Sequence, residues 1–446
     1  MKKVVILLTL ILAVISLALG LGKGKIVSAT SPLASEAWST PKVISTGVAN
    51  AKRAVLKADP SNPGKLMVLF ISMQSNDTTA IDPYFTVSQD FGVNWSTPAL
   101  VHESPSLESK QINFDFDGQG TAHATWLEGR GLAYANSDDW NLSYQMLSNS
   151  SQNLGVTITS PAVAAFGNNI HIIWSEADTN NPDPLKKEPN ILYTRSKDGG
   201  ATWLANPIYL TNTGATSQSP SISSDSAGNI HIVWQEYKGL DPVTVERLFD
   251  IKYVKGTVSE NSVSWSTPIT ITSLITSSSY FSTEEPQLRE NNGEIQVTTT
   301  VIYQQPAEQY IYLLKCRANC TNLSNWTNKN SISGQSLYVN VEPFYLGSSH
   351  AELLGCDYVF FDGASPDNAQ NKEQIWLSNG CFGWTNPRKA ITTEDIRALR
   401  PSANSLNNWL YLTYEKEVQT ETGNANQIYF QSNESDYGAY LPMLRK

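Results

Sequence analysis

The sequence predicts an all-β chain built as a seven-bladed β-propeller of four-stranded blades, and three observations carry that prediction. Beyond the N-terminal segment, apolar residues recur in short strand-length runs and helical periodicity is almost absent. A two-strand unit repeats inside the chain. Ser160-Pro161-Ala162-Val163 leads to a Gly-Asn turn and then Ile170-His171-Ile172-Ile173-Trp174-Ser175-Glu176. Ser219-Pro220-Ser221-Ile222 leads to the same turn and then Ile230-His231-Ile232-Val233-Trp234-Gln235-Glu236. Finally, two independent sequence markers each occur seven times.

The first marker is a tryptophan that opens the outermost strand of each unit: Trp38, Trp95, Trp140, Trp203, Trp265, Trp326 and Trp384, about 45 to 63 residues apart. Trp38, Trp95 and Trp265 each continue as Trp-Ser-Thr-Pro. The second marker is the second strand, centred on residues 66–70, 122–126, 170–174, 230–234, 295–301, 358–361 and 409–414. Four strands per unit is the composition of a propeller blade. The chain opens on a lone fourth strand, 38–45, and finishes on a lone third strand, 427–430. Pairing the two closes the ring and removes the open edges that invite association.

Met1-Lys2-Lys3, an apolar run over 4–21 and Val27-Ser28-Ala29 read as a secretory signal peptide over 1–29. Residues 30–446 then form a single propeller domain, secreted or displayed at the cell surface. The alternative is an uncleaved membrane anchor, the one way this chain would engage a membrane. Cleavage removes Lys2, Lys3, Lys23 and Lys25, which takes the formal charge from −10 to −14. So acidic a surface argues against nucleic acid and anionic lipid as partners. A monomer is expected. Four cysteines in an exported chain indicate disulfides. Cys316 and Cys320 bracket the outer hairpin of blade 5. Cys381 lies at that hairpin in blade 6, with Cys356 at the start of its second strand. The most local pairing is Cys316–Cys320 with Cys356–Cys381.

The innermost strand starts, and the second strand ends, on one face of a blade. Two residue sets therefore share the candidate functional face. The first, read from the position before the inner-strand proline, is Arg53, Gln111, Ser160, Ser219, Glu285, Glu342 and Arg400. The second is Glu128, Glu176, Glu236 and Glu415. Arg53 and Arg400 fall on blades 1 and 7, which closure makes neighbours, and suit a bidentate grip on a carboxylate. Glu285 and Glu342 fall on neighbouring blades 5 and 6 and are the candidate catalytic pair for acid–base work on a glycosidic bond. Ring-lining charges that pair among themselves are the competing reading. His123, His171 and His231 recur at one blade position, so the blades hold them apart and they are expected to be structural; no metal site is expected. No cofactor is expected either; the alternative is calcium on the oxygen-rich loops at 178–183 and 241–242.

One motif remains. Ser88-Gln89-Asp90-Phe91-Gly92-Val93-Asn94-Trp95 and Ser196-Lys197-Asp198-Gly199-Gly200-Ala201-Thr202-Trp203 both read S-x-D-x-G-x-x-W, each between two apolar runs. Ser and Asp can bond a tight hairpin, Gly supplies positive φ, and Trp can seal its end. The structural residues are thus Ser88, Asp90, Gly92 and Trp95, and Ser196, Asp198, Gly200 and Trp203. This hairpin resembles the Asp-box, or BNR repeat, of the sialidase-like propeller superfamily. The resemblance covers nearly all of 30–446. It implies carbohydrate recognition, and six blades as the alternative to seven. Active members of that superfamily remove terminal sialic acid with an Arg triad, a Tyr–Glu nucleophile pair and an Asp acid/base. The triad's first Arg stands in an Arg-Ile-Pro motif, and the matching place here reads Arg53-Ala54-Val55. Arg400 matches as a second; Arg289 and Arg130 are the nearby candidates for a third. Seven-bladed relatives with the same hairpin include lectins, polysaccharide hydrolases and assembly factors. The expected function is therefore an exported glycan-recognising propeller. An exo-glycosidase of sialidase type, or a surface scaffold for a protein partner, are the alternatives.

Overall fold

The computed structural model describes residues 38–434 apart from 75–76, 105–107, 149–154, 276–279, 305–306, 329–347, 354, 365–372, 381–388, 393–395 and 421–422. The predicted signal peptide lies outside the described residues, as do Glu342 and Cys381. Seven antiparallel sheets form the seven blades of a β-propeller, and six of them run from an inner to an outer strand in chain order. Blade 1 is Val48–Ala58, Leu66–Gln74, Asp77–Ser88 and Ala99–Leu100. Blade 4 is Ser217–Ser224, Ile230–Leu240, Arg247–Val258 and an outer edge in two pieces, Val263–Trp265 and Ile269–Thr270. Blade 7 is Ala398–Leu406, Trp409–Thr420, Gly423–Glu434 and, as its outer strand, Lys42–Val43 from the other end of the chain. Lys42 pairs with Phe430 and Val43 with Tyr429, and Ile44 N donates to Ile428 O at 3.0 Å. The ring closes by this splice, as the lone terminal strands required. Each innermost strand also touches those of both neighbouring blades, all the way round.

In the three Trp-Ser-Thr-Pro segments the chain pairs as an outer strand after the proline. Ala99, Ile269 and Lys42 each follow the proline of a Trp-Ser-Thr-Pro segment. Proline carries no N–H for the ladder. The preceding serine makes the connection instead: Ser96, Ser266 and Ser39 hydroxyls accept from Val87 N, Lys255 N and Ser432 N at 2.9–3.0 Å.

The core lies between the blades. Trp126, Trp174 and Trp234 of the second strands are at most 1% exposed. At this size, burial of each contributes about 4–6 kcal/mol by area. The S-x-D-x-G-x-x-W hairpins lock neighbouring blades. Ser196 Oγ donates to Asp198 Oδ1 at 2.7 Å and accepts from Gly200 N at 2.8 Å, while Asp198 Oδ1 accepts from Thr202 N at 2.8 Å. The Thr202 hydroxyl also donates to this carboxyl, and it, the Ser196 hydroxyl and Thr202 N hold Asp198 down to about 2. The first hairpin repeats the pattern at Ser88, Asp90, Gly92 and Asn94. Trp203 meets Tyr134 of blade 2 edge-on at 4.8 Å, and Trp95 meets Phe430 of blade 7 at 4.9 Å. Tyr134, Tyr193 and Tyr253 in turn share a hydrogen bond of 2.7–2.8 Å with Nδ1 of His123, His171 and His231. The recurrent histidines are thus buried struts; burial, with Arg195 nearby, drives His171 down to about 3, so it stays neutral.

In blade 5 that hairpin is replaced by Cys316–Cys320, which are joined in a disulfide. Trp326 Nε1 donates to Cys320 O at 2.7 Å and Trp326 packs on Tyr253, so the staple keeps the tryptophan in place without the Ser and Asp. Cys356 is also disulfide-bonded.

Candidate functional site

Six of the seven inner-strand positions singled out in the sequence share one unusual backbone state. Arg53, Gln111, Ser160, Ser219, Glu285 and Arg400 have φ between 49° and 55°. Each sits at a break in the register with the second strand, for example between Leu399 and Ser402 or between Glu284 and Gln287. A bulge of this kind turns one side chain out of the strand alternation. Here it turns that side chain toward the propeller axis. Pro161, Pro220, Pro286 and Pro401 follow four of these residues, at a place where no ladder N–H is required. The left-handed backbone costs about 1–2 kcal/mol per non-glycine residue, and the preceding blade secures it. Glu415 accepts from Arg53 N at 2.7 Å, Asp362 from Arg400 N at 2.7 Å, Gln235 from Glu285 N at 2.9 Å and Gln111 from Ser160 N at 2.6 Å. One layer deeper, the Ser402, Asn113, Ser221 and Ser349 side chains accept from backbone amides of the next blade.

These residues line a cavity of about 590 Å³ on the axis, a size suited to a small ligand. Arg53, Arg400 and Glu285 all contribute to its wall. Arg400 Nη1 pairs with Glu415 Oε2 at 2.8 Å; Glu415 is only 1% exposed, whereas the Arg400 side chain is 44% exposed. One buried carboxylate therefore holds the backbone of Arg53 and the guanidinium of Arg400 together. The Arg53 guanidinium has no ion-pair partner within 4 Å among the described residues. Burial and the Arg400 charge lower its pKa, and Glu415 and Glu285 oppose them; an arginine remains cationic under such shifts. Burial pushes the Glu285 carboxyl up, against the Ser219 hydroxyl and the Arg53 charge, which favour its ionised form. Around these charges the wall is made of small residues and hydroxyls, Ser160, Ser219 and Ser402 among them.

Glu128, Glu176 and Glu236 do not line this cavity. They pair with Ser109, Ile158 and Ser217, two residues before the bulge, whereas Glu415 pairs with Leu399, one residue before it. A one-residue offset reverses the face on which a strand side chain emerges. The three carboxylates instead accept from indole Nε1 of Trp126, Trp174 and Trp234 at 2.9–3.4 Å, two residues back on the same strand. The W-x-E spacing in the sequence is the signal of that contact. Arg289 and Arg130 are not in the cavity wall either. Arg289 reaches across blade 6 to His350 O and Ser405 Oγ.

Of the oxygen-rich loops, Asp178 accepts from Asn180 N and Asn181 Nδ2, and Asp241 from Val243 N and Thr244 N. Glu294, Glu352 and Asp357 converge in blades 5 and 6, where the Lys315 ammonium and the Gln296 amide occupy them.

No family model matches the chain, and no curated protein matches it in sequence. Solved structures with a similar course include Trypanosoma rangeli sialidase in complex with the inhibitor DANA, at 12% identity and TM-score 0.44, covering 86% of this chain and 55% of that one. A Dyadobacter fermentans protein of unknown function has 12% identity and TM-score 0.49, covering 89% and 98%. Phage phi92 endosialidase has 8% identity and TM-score 0.46, covering 89% and 69%. This chain spans about half the length of the trypanosomal sialidase.

Proposed function

We propose that the protein is an exported glycan-recognising propeller whose axial cavity takes the carboxylate of an acidic sugar. The observation that carries this reading is the convergence of Arg53 and Arg400 on one cavity, with Glu415 fixing both. An arginine pair matches the two oxygens of a carboxylate, and serine hydroxyls beside it match a polyhydroxylated body. The N-terminal apolar segment and the Cys316–Cys320 disulfide support export to an oxidising compartment. The test is a glycan array followed by calorimetry on the purified protein. Acidic glycans bind and neutral analogues do not; Arg53→Ala weakens binding about 10- to 100-fold, the worth of a charge-assisted contact. Equal binding by Arg53→Ala and the unaltered protein would refute the reading.

One observation favours a hydrolytic version. Glu285 is a carboxyl in the cavity wall with its pKa raised by burial, the condition a general acid needs. Turnover of a fluorogenic sialoside or glycoside, lost in Glu285→Gln, would identify an exo-glycosidase; binding without turnover identifies a lectin.

A further inference from the structure

At the mouth end of the seam between blades 4 and 5 lies an aromatic crown outside the axial cavity. Phe281 opens the inner strand of blade 5, Phe281–Asn291, and pairs with Tyr303 at the end of the second strand. Their ring centroids are 5.9 Å apart, and Tyr303 meets Tyr310 edge-on at 5.8 Å. Tyr303 and Tyr312 hydroxyls share a 3.0 Å hydrogen bond, and Tyr310 donates to Glu308 at 2.9 Å. From blade 4, Lys238 places its ammonium 4.2 Å above the Phe281 ring while bonded to Asp250 at 2.9 Å. Next to Phe281, Tyr280 is 58% exposed. The hairpin between the second and third strands of blade 4 carries Val243 and Val245, about two-thirds exposed, and Val245 holds φ 61°, which is rare for a β-branched residue.

Three features of this surface point to one kind of occupant. It offers aromatic rings that are half-buried or exposed, with phenol hydroxyls, an ammonium and a carboxylate around them. Its ammonium is already paired, Lys238 with Asp250, and the Glu308 carboxylate, which accepts from the Tyr310 hydroxyl, disfavours an anionic ligand. Its position is continuous with the cavity: Glu285 lies four residues along the same strand from Phe281, roughly 13 Å at the rise of an extended chain. A neutral pyranose has the complementary build, with an apolar C–H face for the rings and equatorial hydroxyls for the polar groups. We propose that the crown formed by Tyr280, Phe281, Tyr303 and Tyr310 is a second carbohydrate subsite, which takes a neutral sugar residue of the same glycan whose acidic end enters the axial cavity. This inference rests on the glycan reading of that cavity and adds the chain length and polarity of the ligand.

The test uses the full chain and two probes, free sialic acid and sialyllactose, titrated by calorimetry. Sialyllactose binds about tenfold more tightly than the free acid, the increment that aromatic contacts contribute. Tyr280→Ala, at an exposed position, removes that increment and leaves the affinity for the free acid unchanged; Tyr303→Ala does the same, with circular dichroism verifying the fold. Arg53→Ala weakens both probes alike. Equal affinity for the two probes, or an increment that survives both tyrosine substitutions, overturns the subsite and leaves the axial site standing. Failure of both probes to bind overturns the axial reading and the subsite with it.

Discussion

Gly200 is the point at which blade 3 locks onto blade 2, and substituting it measures the seam. It holds φ +93°, and an added Cβ would overlap the Tyr134 hydroxyl and Cζ and lie 2.6 Å from Cε1. Tyr134 cannot retreat. It is fully buried, its hydroxyl bonds His123 Nδ1 at 2.7 Å, and it donates to Gly199 O at 3.2 Å. Neighbouring Gly199 provides the control, since it has φ +69° but nothing within 4 Å of its added Cβ. Gly199→Ala therefore carries only the backbone cost, about 1–2 kcal/mol. Gly200→Ala adds an overpacking cost of about 1–3 kcal/mol, for a total of about 2–5 kcal/mol. Urea unfolding followed by tryptophan fluorescence reads the difference, with Trp203 on Tyr134 as a local reporter. Equal losses in the two variants would refute the claim that this hairpin is an inter-blade lock. The same comparison applies at Gly92, whose added Cβ would overlap Phe430 of blade 7.

Three further outcomes are expected. Deleting residues 30–46 removes the outer strand of blade 7 and the buried Ile44, and lowers stability by at least about 3 kcal/mol; an unchanged melting temperature would count against closure by the terminal strands. Glu285 has a folded-state pKa above its unfolded value, so its ionised form opposes folding once the pH exceeds the folded pKa, and the penalty is absent below the unfolded value. Glu285→Gln should accordingly stabilise the protein at neutral pH and make no difference below about pH 4, as read from melting temperatures across that range; a gain that persists in acid contradicts the assignment. Replacing Cys316 and Cys320 together by serine loses about 2 kcal/mol, the worth of closing so short a loop, and an unchanged urea midpoint in that variant would count against the staple.

Much of the architecture was legible because it repeats. A propeller writes the same residues at the same blade position, so Trp174 and Trp234, or His171 and His231, identify their strands by recurrence. Terminal strands of unlike order demanded the splice now seen between Lys42–Val43 and Tyr429–Phe430. The site was legible in part for the same reason: the residue before Pro161, Pro220, Pro286 and Pro401 marks the bulge facing the axis. The carboxylates were not. Glu128, Glu176 and Glu236 end their second strands as Glu415 does; the W-x-E spacing that Glu415 lacks marks their indole contact, but the strand pairing is what shows that they emerge on the opposite face.

By itself, then, the sequence determined the all-β class, the blade number, the ring closure and the Cys316–Cys320 staple, because each is set by local spacing or by recurrence along the chain. The tertiary structure decided which charges meet. Arg53 and Arg400 are 347 positions apart and become partners only through Glu415, when blades 1 and 7 come side by side. It also decided that six left-handed residues share one axis, since a bulge is defined by the strand it faces and not by the residue that occupies it.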